Sequence, residues 1–227
     1  MKYIKSLYLI IALIVSFSSY TVSAINTGFE TELLDEDKFD VNISVFYSEP
    51  ERLPINCFDV NNDGLIAIGT NRFEEKRICI YDSKGNFKYG YEFNYEGDFG
   101  VEWDEKNLNI YFMRSGILAS YDYEGNCKGS LKVKDSMENN KYTNDFIESE
   151  EKSIGETKYA ISVSGGLLSI FTVGYSKLSV TDGVGTTVLY DVSEKQLTSA
   201  ILFMVFIVII LAFVWICIAK KIKEIDL

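Results

Sequence analysis

Of the side chains that most often carry out catalysis or bind metals, this chain lacks histidine but is rich in carboxylates. Its 227 residues contain no histidine, which removes Ser-His-Asp and Cys-His catalysis and the commonest zinc ligand. They also contain no glycine-rich phosphate loop of the P-loop or dinucleotide-binding kind. The sequence therefore predicts no catalytic group and no bound cofactor, and the remaining candidates for chemistry are carboxylates.

One run of acidic and amide side chains has the spacing that opens an EF-hand calcium loop. Asp59, Asn61 and Asp63 stand at alternate positions, and Gly64 follows them. The bidentate acid that such a loop needs at its twelfth position would be residue 70, which is a threonine. A hairpin turn at Asp63 and Gly64 explains the same residues. We therefore favour a turn here and keep a calcium site at Asp59, Asn61 and Asp63 as the alternative.

A second candidate is the pair Glu102 and Asp104, because two neighbouring carboxylates can serve glycoside hydrolysis. Acidic residues number 33 in the chain, so pairs of this kind are expected from composition alone. A solvated surface explains the pair, and a hydrolase acting on glycans is the alternative.

The four cysteines do not form a disulfide framework. Cys217 belongs to a long apolar segment, while Cys57, Cys79 and Cys127 are an odd number without metal-ligand spacing. Cys57 and Cys79 fall on predicted strands about 9–10 Å apart, whereas a disulfide needs Cα atoms within roughly 7 Å. We predict that all three are small buried hydrophobic residues.

The densest aromatic run in the chain has two interpretations. Aromatic side chains can form a platform for a sugar or a peptide, or they can fill a core between sheets. We favour the core, because burial stabilises the fold by about 1.5–3 kcal/mol for each such side chain. The run comprises Tyr89, Tyr91, Phe93, Tyr95, Phe99, Trp103, Tyr111 and Phe112.

An internal repeat indicates the elements that must position these residues. The motif Tyr-Asp-x-x-Gly-Asn-x-Lys at 81–88 recurs at 121–128. The aspartate of such a turn can bond its own backbone, and the glycine can adopt positive φ. In a third copy, Leu108, Ile110, Asp122 and Gly125 align with Leu168, Ile170, Asp182 and Gly185.

Each repeat divides into four apolar runs that predict strands. The second and third runs are apolar on both faces, whereas the fourth alternates with polar residues and is predicted to be half exposed. The predicted strands are 56–60, 65–70, 77–82 and 87–93 in the first repeat, 99–103, 107–112, 117–122 and 127–133 in the second, and 157–163, 167–173, 177–182 and 186–192 in the third.

Four-stranded antiparallel meanders of this kind resemble β-propeller blades. The Tyr-Asp pair before a glycine turn is similar to the propeller repeats of the NHL and YD kind. The resemblance implies a mainly β fold with about three propeller-blade-like repeats over residues 56–197. Closed propellers usually contain four to eight blades, so three repeats predict an open blade array, a partial propeller or a twisted sandwich.

Two regions outside the repeats are predicted from composition. Residues 25–55 form an acidic lead-in, in which 25–36 are expected to be poorly ordered and Phe39–Phe46 alternates as a strand. Residues 134–156 form a polar insert that cannot bury much apolar area, so we expect a mobile loop there.

Two apolar segments predict the topology. Residues 1–24 have a positive start, an apolar stretch and the small-residue site Val22-Ser23-Ala24, which predicts a cleaved secretory signal peptide; an uncleaved signal anchor is the alternative. Residues 198–219 predict one transmembrane helix, because their uncharged run spans roughly 30 Å. The lysine-rich tail at 220–227 predicts a cytoplasmic C-terminus and an ectodomain outside the cell membrane.

Net charge narrows the classes of partner. The chain carries −11, and residues 25–219 alone carry −14, which disfavours nucleic acid. The sequence therefore predicts a membrane-anchored extracytoplasmic β-repeat module with a non-catalytic binding or interaction role. An accessory subunit of a membrane complex is a further alternative.

Because three blades do not close a ring, the terminal blades are expected to leave apolar faces for self-association or a protein partner.

Overall fold

The structure is a computed structural model that describes residues 25–34, 39, 41–164, 166, 170 and 172–225. The predicted signal peptide at 1–24 lies outside the described residues, as do parts of the predicted strand at 167–173 and of the predicted tail.

The described residues fold mainly into β-strands. Two short helical elements, α1 (Met137–Tyr142) and a π-helical turn (Thr143–Ile147), precede the eleventh strand, and helix α2 (Ser193–Ile225) is the last element. The strands are β1 (Thr31–Leu33), β2 (Ser44–Phe46), β3 (Ile55–Val60), β4 (Ile66–Arg72), β5 (Glu75–Tyr81), β6 (Phe87–Asn94), β7 (Phe99–Asp104), β8 (Asn107–Phe112), β9 (Ile117–Tyr121), β10 (Cys127–Val133), β11 (Glu151–Ile154), β12 (Thr157–Ser162), β13 (Lys177–Thr181) and β14 (Thr186–Asp191).

These strands form three antiparallel sheets. The first sheet has the order β2-β6-β5-β4-β3, the second β1-β10-β9-β8-β7, and the third β11-β12-β13-β14. Each sheet is built on a meander of four consecutive strands. The N-terminal segment adds β2 beside β6 and β1 beside β10, at the outer edges of the first and second sheets. The fold is therefore mainly β, as the alternating sequence pattern predicted.

Predicted and observed strands agree closely from β3 to β10, where every boundary lies within two residues of the prediction. The third sheet differs. The described residues of the predicted strand 167–173 are outside any strand. The sheet has four strands because it begins instead with β11, which lies within the predicted insert. The reason is that the third repeat has extra residues in two places rather than in one. β12 begins fifty residues after β8, whereas β13 begins sixty residues after β9, so part of the extra length lies before β12 and part lies between β12 and β13. Tyr159 and Ile161 of β12 consequently supply the buried side chains.

The polar insert at 134–156 contains α1, the π-helical turn and β11 rather than only the mobile loop that we expected. Ser136 caps α1 by accepting the N–H of Asn139 at 3.1 Å. The buried Asn139 side chain in turn accepts the N–H of Glu30 and donates to the Glu30 carbonyl, both at 2.8 Å. These bonds tie the insert to residues 25–34, which are consequently held in place although a poorly ordered lead-in was expected there.

The first sheet lies between the other two. One of its faces packs on the second sheet through an apolar cluster that includes Ile78, Ile80, Phe93, Phe99 and Ile110. Its other face packs on the third sheet through a cluster that includes Phe58, Ile66, Ile68, Tyr159 and Leu178. The inner strands are therefore buried on both faces, as their uninterrupted apolar runs predicted.

The outer faces of the stack contradict the expectation of uncovered apolar faces. On the second sheet, Phe29 and Ile147 bring the N-terminal segment and the π-helical turn over Leu118 and Val133. On the third sheet, the outer positions are mostly polar or small, since the side chains that pack inward are the alternate residues of each strand. The outward residues include Lys158, Ala160, Lys177, Ser179 and Thr181. Val188 of β14 is an apolar residue at the third sheet that stays exposed, and association through the terminal faces stays a prediction.

The glycine turns of the first two sheets are nearly identical. Asp82 Oδ1 accepts the N–H groups of Lys84 and Asn86 at 3.0 and 2.9 Å, and Gly85 has φ +81°. Asp122 makes the same two bonds at 3.0 and 2.9 Å, and Gly125 has φ +82°. This is the turn chemistry that the repeated motif predicted.

Two of the three cysteines have the predicted environment. Cys57 and Cys79 are buried free thiols that face opposite sides of the first sheet, and burial raises the pKa of each to about 12. Cys127 is exposed, which corrects the prediction that it is buried. It begins the half-exposed outer strand β10, where position rather than residue type decides burial.

Helix α2 is long and apolar enough to cross a membrane. Within Ser193–Ile216, the most apolar stretch of 18 residues has a mean hydropathy of 3.0, and only 6% of that stretch is buried within the protein. A core helix of a soluble fold would bury one face, so the exposure fits the predicted span.

Candidate functional site

A large cavity lies where the three sheets meet. Strand β3 contacts both β7 and β11, and each of these is the inner edge of its sheet. The turns after β3 and β7 border a cavity of about 700 Å³, and β11 lines it along its whole length. Because β12, β13 and β14 then alternate in direction, α2 begins at the opposite end of the domain. The end of β3 lines the cavity, whereas its first residue, Ile55, bonds with Tyr175 in the segment that contacts Gln196 of α2, so the cavity lies at the end of β3 opposite the start of the apolar helix.

A buried ion pair forms part of the cavity wall. Asp59 of β3 and Lys152 of β11 are 5% and 8% exposed, and Lys152 Nζ lies 3.3 Å from Asp59 Oδ1. The other carboxylate oxygen accepts the N–H of Trp103 at 2.7 Å. Lys152 Nζ donates to the Phe146 carbonyl at 2.6 Å and lies over the Phe146 ring. One strand from each sheet and the π-helical turn therefore meet at this pair.

Burial governs the protonation of both partners. It raises the pKa of Asp59, although Lys152 and the N–H of Trp103 oppose the shift. Burial likewise lowers the pKa of Lys152, against the attraction of Asp59. Both directions show that removing these charges from water is only partly offset by their mutual attraction.

A second buried carboxylate, Glu102 of β7, lies behind the cavity wall and is 6% exposed. It accepts hydrogen bonds from Thr27 Oγ1 at 2.6 Å, from the N–H of Gly28 at 3.2 Å and from Tyr142 Oη at 2.5 Å. Its neighbour Asp104 accepts the N–H of Asn26 at 2.9 Å. The pair singled out for glycoside hydrolysis thus binds the N-terminal segment, and neither residue lines the cavity.

The three calcium-candidate residues all line the cavity, but they do not form one set of ligands. Asp59 faces the Lys152 ammonium, which stands where a cation would have to approach. Asn61 Oδ1 accepts the N–H groups of Asp63 and Leu65 at 3.0 and 2.8 Å. Gly64 has φ +77°, so the hairpin turn accounts for these residues, with Asn61 as its organising side chain.

The rest of the lining is acidic and contains two aromatic residues. Apart from the ion pair, its charged side chains are Asp63, Glu105, Asp145 and Glu151 against Lys106. Trp103 and Phe146 also line the cavity, and the indole N–H of Trp103 is buried without a hydrogen-bond partner in the described part of the chain. Such a surface attracts positively charged groups and offers an aromatic face to them.

The aromatic run predicted to fill the core does so, although Trp103 also borders the cavity. All eight of its residues pack in or against the apolar clusters, and Tyr91, Phe93, Phe99 and Phe112 are at most 2% exposed. Sequence reasoning missed Lys152 and Phe146, because both lie in a segment that reads as a polar loop. The alternation of Lys152 and Ile154 against Glu151 and Ser153 was a local strand signal that could have identified β11.

Comparison with protein-family models finds no match, and neither the curated proteins nor the solved structures contain a match to this chain. The function therefore has to be inferred from the residues of the cavity and from their position relative to α2.

Proposed function

We propose that the protein is a membrane-anchored, extracytoplasmic and non-catalytic binding module. In this proposal α2 crosses the cell membrane with its lysine-rich end in the cytoplasm, and the cavity faces away from the bilayer. The single observation that carries the binding role is this cavity of about 700 Å³, which is of the size of small-molecule sites and is walled by the inner strands.

The chemistry of the wall favours a ligand or a partner segment that carries positive charge. Four acidic side chains outnumber one lysine around the buried ion pair, and Trp103 adds an aromatic face. The buried ion pair has no net charge, so its role in this proposal is to stabilise the wall. The acidic side chains at the rim attract the ligand. The hydrolase alternative has less support, since Glu102 is sealed beneath the N-terminal segment.

We further propose that the three sheets are blade-like units of an open array. Support comes from the inner strands β3, β7 and β11, which surround a common cavity as the first strands of propeller blades surround an axis. The insert at 137–147 and the N-terminal segment occupy the outer face of the second sheet, where a further blade would pack in a ring.

Fluorescence titration of Trp103 tests the binding role. The full chain with Trp215→Phe, held in phosphatidylcholine nanodiscs, leaves Trp103 as its single tryptophan reporter. At low ionic strength, trilysine is expected to change the Trp103 emission saturably, whereas triglutamate is not. Asp145→Asn and Glu105→Gln are each expected to weaken trilysine binding roughly two- to five-fold.

Glu138→Gln is the matched control, because Glu138 is an exposed acidic residue of α1 outside the cavity. It removes the same charge and should leave the titration unchanged. Equal responses to trilysine and triglutamate, or an equal loss with Glu138→Gln, would contradict a binding site in the cavity.

A further inference from the structure

The described part of the loop between β12 and β13, residues 163, 164, 166, 170 and 172–176, carries apolar side chains on the surface beside the start of α2. Among its described residues, Val163, Ile170 and Val173 are 46%, 76% and 87% exposed. The sequence contains no charged residue from Tyr159 to Ser176. An exposed, uncharged and apolar stretch of this kind marks a surface that contacts a membrane or another molecule.

Hydrogen bonds hold this loop against the domain and against the helix. Ser176 Oγ accepts the N–H of Ser164 at 2.7 Å, and Tyr175 exchanges two backbone bonds with Ile55, both at 2.8 Å. Gln196, in the first turn of α2, donates to the carbonyls of Val173 and Gly174 at 3.0 and 3.4 Å. The exposed residue Val173 is therefore level with the first turn of α2.

That level corresponds to the interfacial layer of a bilayer. Gln196 lies three residues before Ser199, where the predicted uncharged span begins, so it stands about 4–5 Å further out along the helix axis. The headgroup layer on each side of the hydrocarbon core is roughly 5–7 Å thick. A helix that enters the bilayer at Ser199 thus brings Val173 into this layer.

We propose that the loop between β12 and β13 lies in the headgroup layer of a phospholipid bilayer and gives the domain a second lipid contact beside α2. The proposal rests on the membrane anchorage proposed above. The loop is continuous with the apolar surface of α2, where Leu197, Ile201 and Leu202 are also exposed. Two lipid contacts fix the tilt of the domain, so the cavity faces away from the bilayer rather than along it.

Quenching by spin-labelled lipids tests the contact. Val173→Cys is made in the full chain with Cys127→Ser and Cys217→Ser, because burial keeps the Cys57 and Cys79 thiols unreactive. The cysteine is labelled with an environment-sensitive dye, and the chain is reconstituted in phosphatidylcholine vesicles that contain lipids with a nitroxide near the headgroup. The dye at 173 is expected to emit at shorter wavelength than in water and to lose most of its emission to the shallow nitroxide.

Val184→Cys is the matched control, since Val184 is 98% exposed in the turn between β13 and β14 at the opposite end of the third sheet. A dye there should keep its emission. Leu211→Cys, in the middle of α2, reports the anchorage itself and should be quenched by a deep nitroxide. A dye at 211 that is not quenched would refute the anchorage, whereas quenching at 211 with a dye at 173 that behaves like that at 184 would refute only the loop contact.

Ile170→Cys repeats the measurement should the change at Val173 disturb folding, which circular dichroism of each variant reports. It is expected to show the same shallow quenching. Protection of the dye at 173 and 170 from both the nitroxide lipids and a water-soluble quencher would mean that protein covers the loop, and would overturn the lipid contact.

Discussion

The two buried carboxylates of the inner strands, Asp59 and Glu102, are compensated in different ways. They are 5% and 6% exposed and lie on the adjacent strands β3 and β7. Asp59 is paired with the Lys152 ammonium, whereas Glu102 accepts three hydrogen bonds from uncharged donors. The first arrangement takes two charges out of water and the second takes one.

The difference indicates what each carboxylate does. The partners of Asp59 come from β7 and β11, and its partner Lys152 in turn contacts Phe146 of the π-helical turn, so the ion pair holds together the wall of the cavity. The partners of Glu102 come from the N-terminal segment and α1, so this residue fastens the cover of the second sheet. Asp59 therefore stabilises the candidate site, and Glu102 fastens the N-terminal segment to the second sheet.

Removing the cation from Asp59 is expected to have the largest effect. Lys152→Met leaves a buried carboxylate without its counter-charge and should lower the free energy of unfolding by about 3–5 kcal/mol. Asp59→Asn in addition to Lys152→Met should recover part of the loss, because no charge is then buried unpaired. Guanidinium unfolding of the full chain in detergent micelles, followed by near-ultraviolet circular dichroism, measures both.

Lys158→Met is the control for this prediction. Lys158 of β12 pairs with Glu151, the neighbour of Lys152 on β11, but their side chains are 49% and 59% exposed. Its loss should change the free energy of unfolding by only about 0–1 kcal/mol. Equal effects of the two lysine substitutions on the free energy of unfolding would contradict the prediction that the Asp59 pair matters more because it is buried.

Removing an uncharged donor from Glu102 is expected to have the next largest effect. Tyr142→Phe deletes one of its three bonds and should lower the free energy of unfolding by about 1–3 kcal/mol. It should also increase hydrogen exchange at the N–H of Gly28, because the cover loosens. Tyr123→Phe removes the same hydroxyl from an exposed bond to Glu124 and should cause no measurable change. An unchanged Gly28 exchange rate in Tyr142→Phe would contradict the fastening role.

Local signals explain which parts of the fold the sequence predicted. The aspartate turns at Asp82 and Asp122 and the strands around them follow from bonds between residues a few positions apart. Lys152 and Tyr142 depend on partners far along the chain, on β3 and β7. A polar segment cannot be recognised as buried from its own composition when distant carboxylates make burial possible, so the insert at 134–156 was predicted as a mobile loop.

The candidate site was predicted only in fragments for the same reason. The sequence singled out Asp59, Asn61 and Asp63, and separately Glu102 and Asp104, as possible chemistry. The fold places the first three on the cavity and the other two behind its wall. Their separation depends on the stacking of the sheets, which a repeat pattern with three copies does not specify.

The turn at the rim of the cavity provides a smaller test. Asn61→Ala removes the oxygen that accepts the N–H groups of Asp63 and Leu65 and should lower the free energy of unfolding by about 1 kcal/mol. Asn62→Ala, at an exposed neighbouring position, is the control and should have no effect. Adding calcium should leave the melting temperature of the parent chain unchanged. A rise in that temperature, lost in Asn61→Ala, would instead support the calcium alternative.

The smallest effects concern proton binding, because the pKa values of the buried Asp59 and the partly buried Asp82 should shift in opposite directions. Hydrogen bonds from Asn86 lower the pKa of the partly buried Asp82 from 3.8 to about 2, whereas burial raises that of Asp59 above 3.8. The stabilisation from Asp82 is therefore complete above its unfolded value of 3.8 and is lost as the pH falls toward 2. Asp59 has the opposite sign, because its protonation favours the folded state and its contribution falls as the pH rises through the raised pKa. Carboxyl carbon shifts measured during a pH titration would report both values, and Lys152→Met should raise the pKa of Asp59 further without moving that of Asp82. A titration of Asp59 below 3.8 would mean that Lys152 outweighs burial, and the cost of the buried pair inferred here would be wrong.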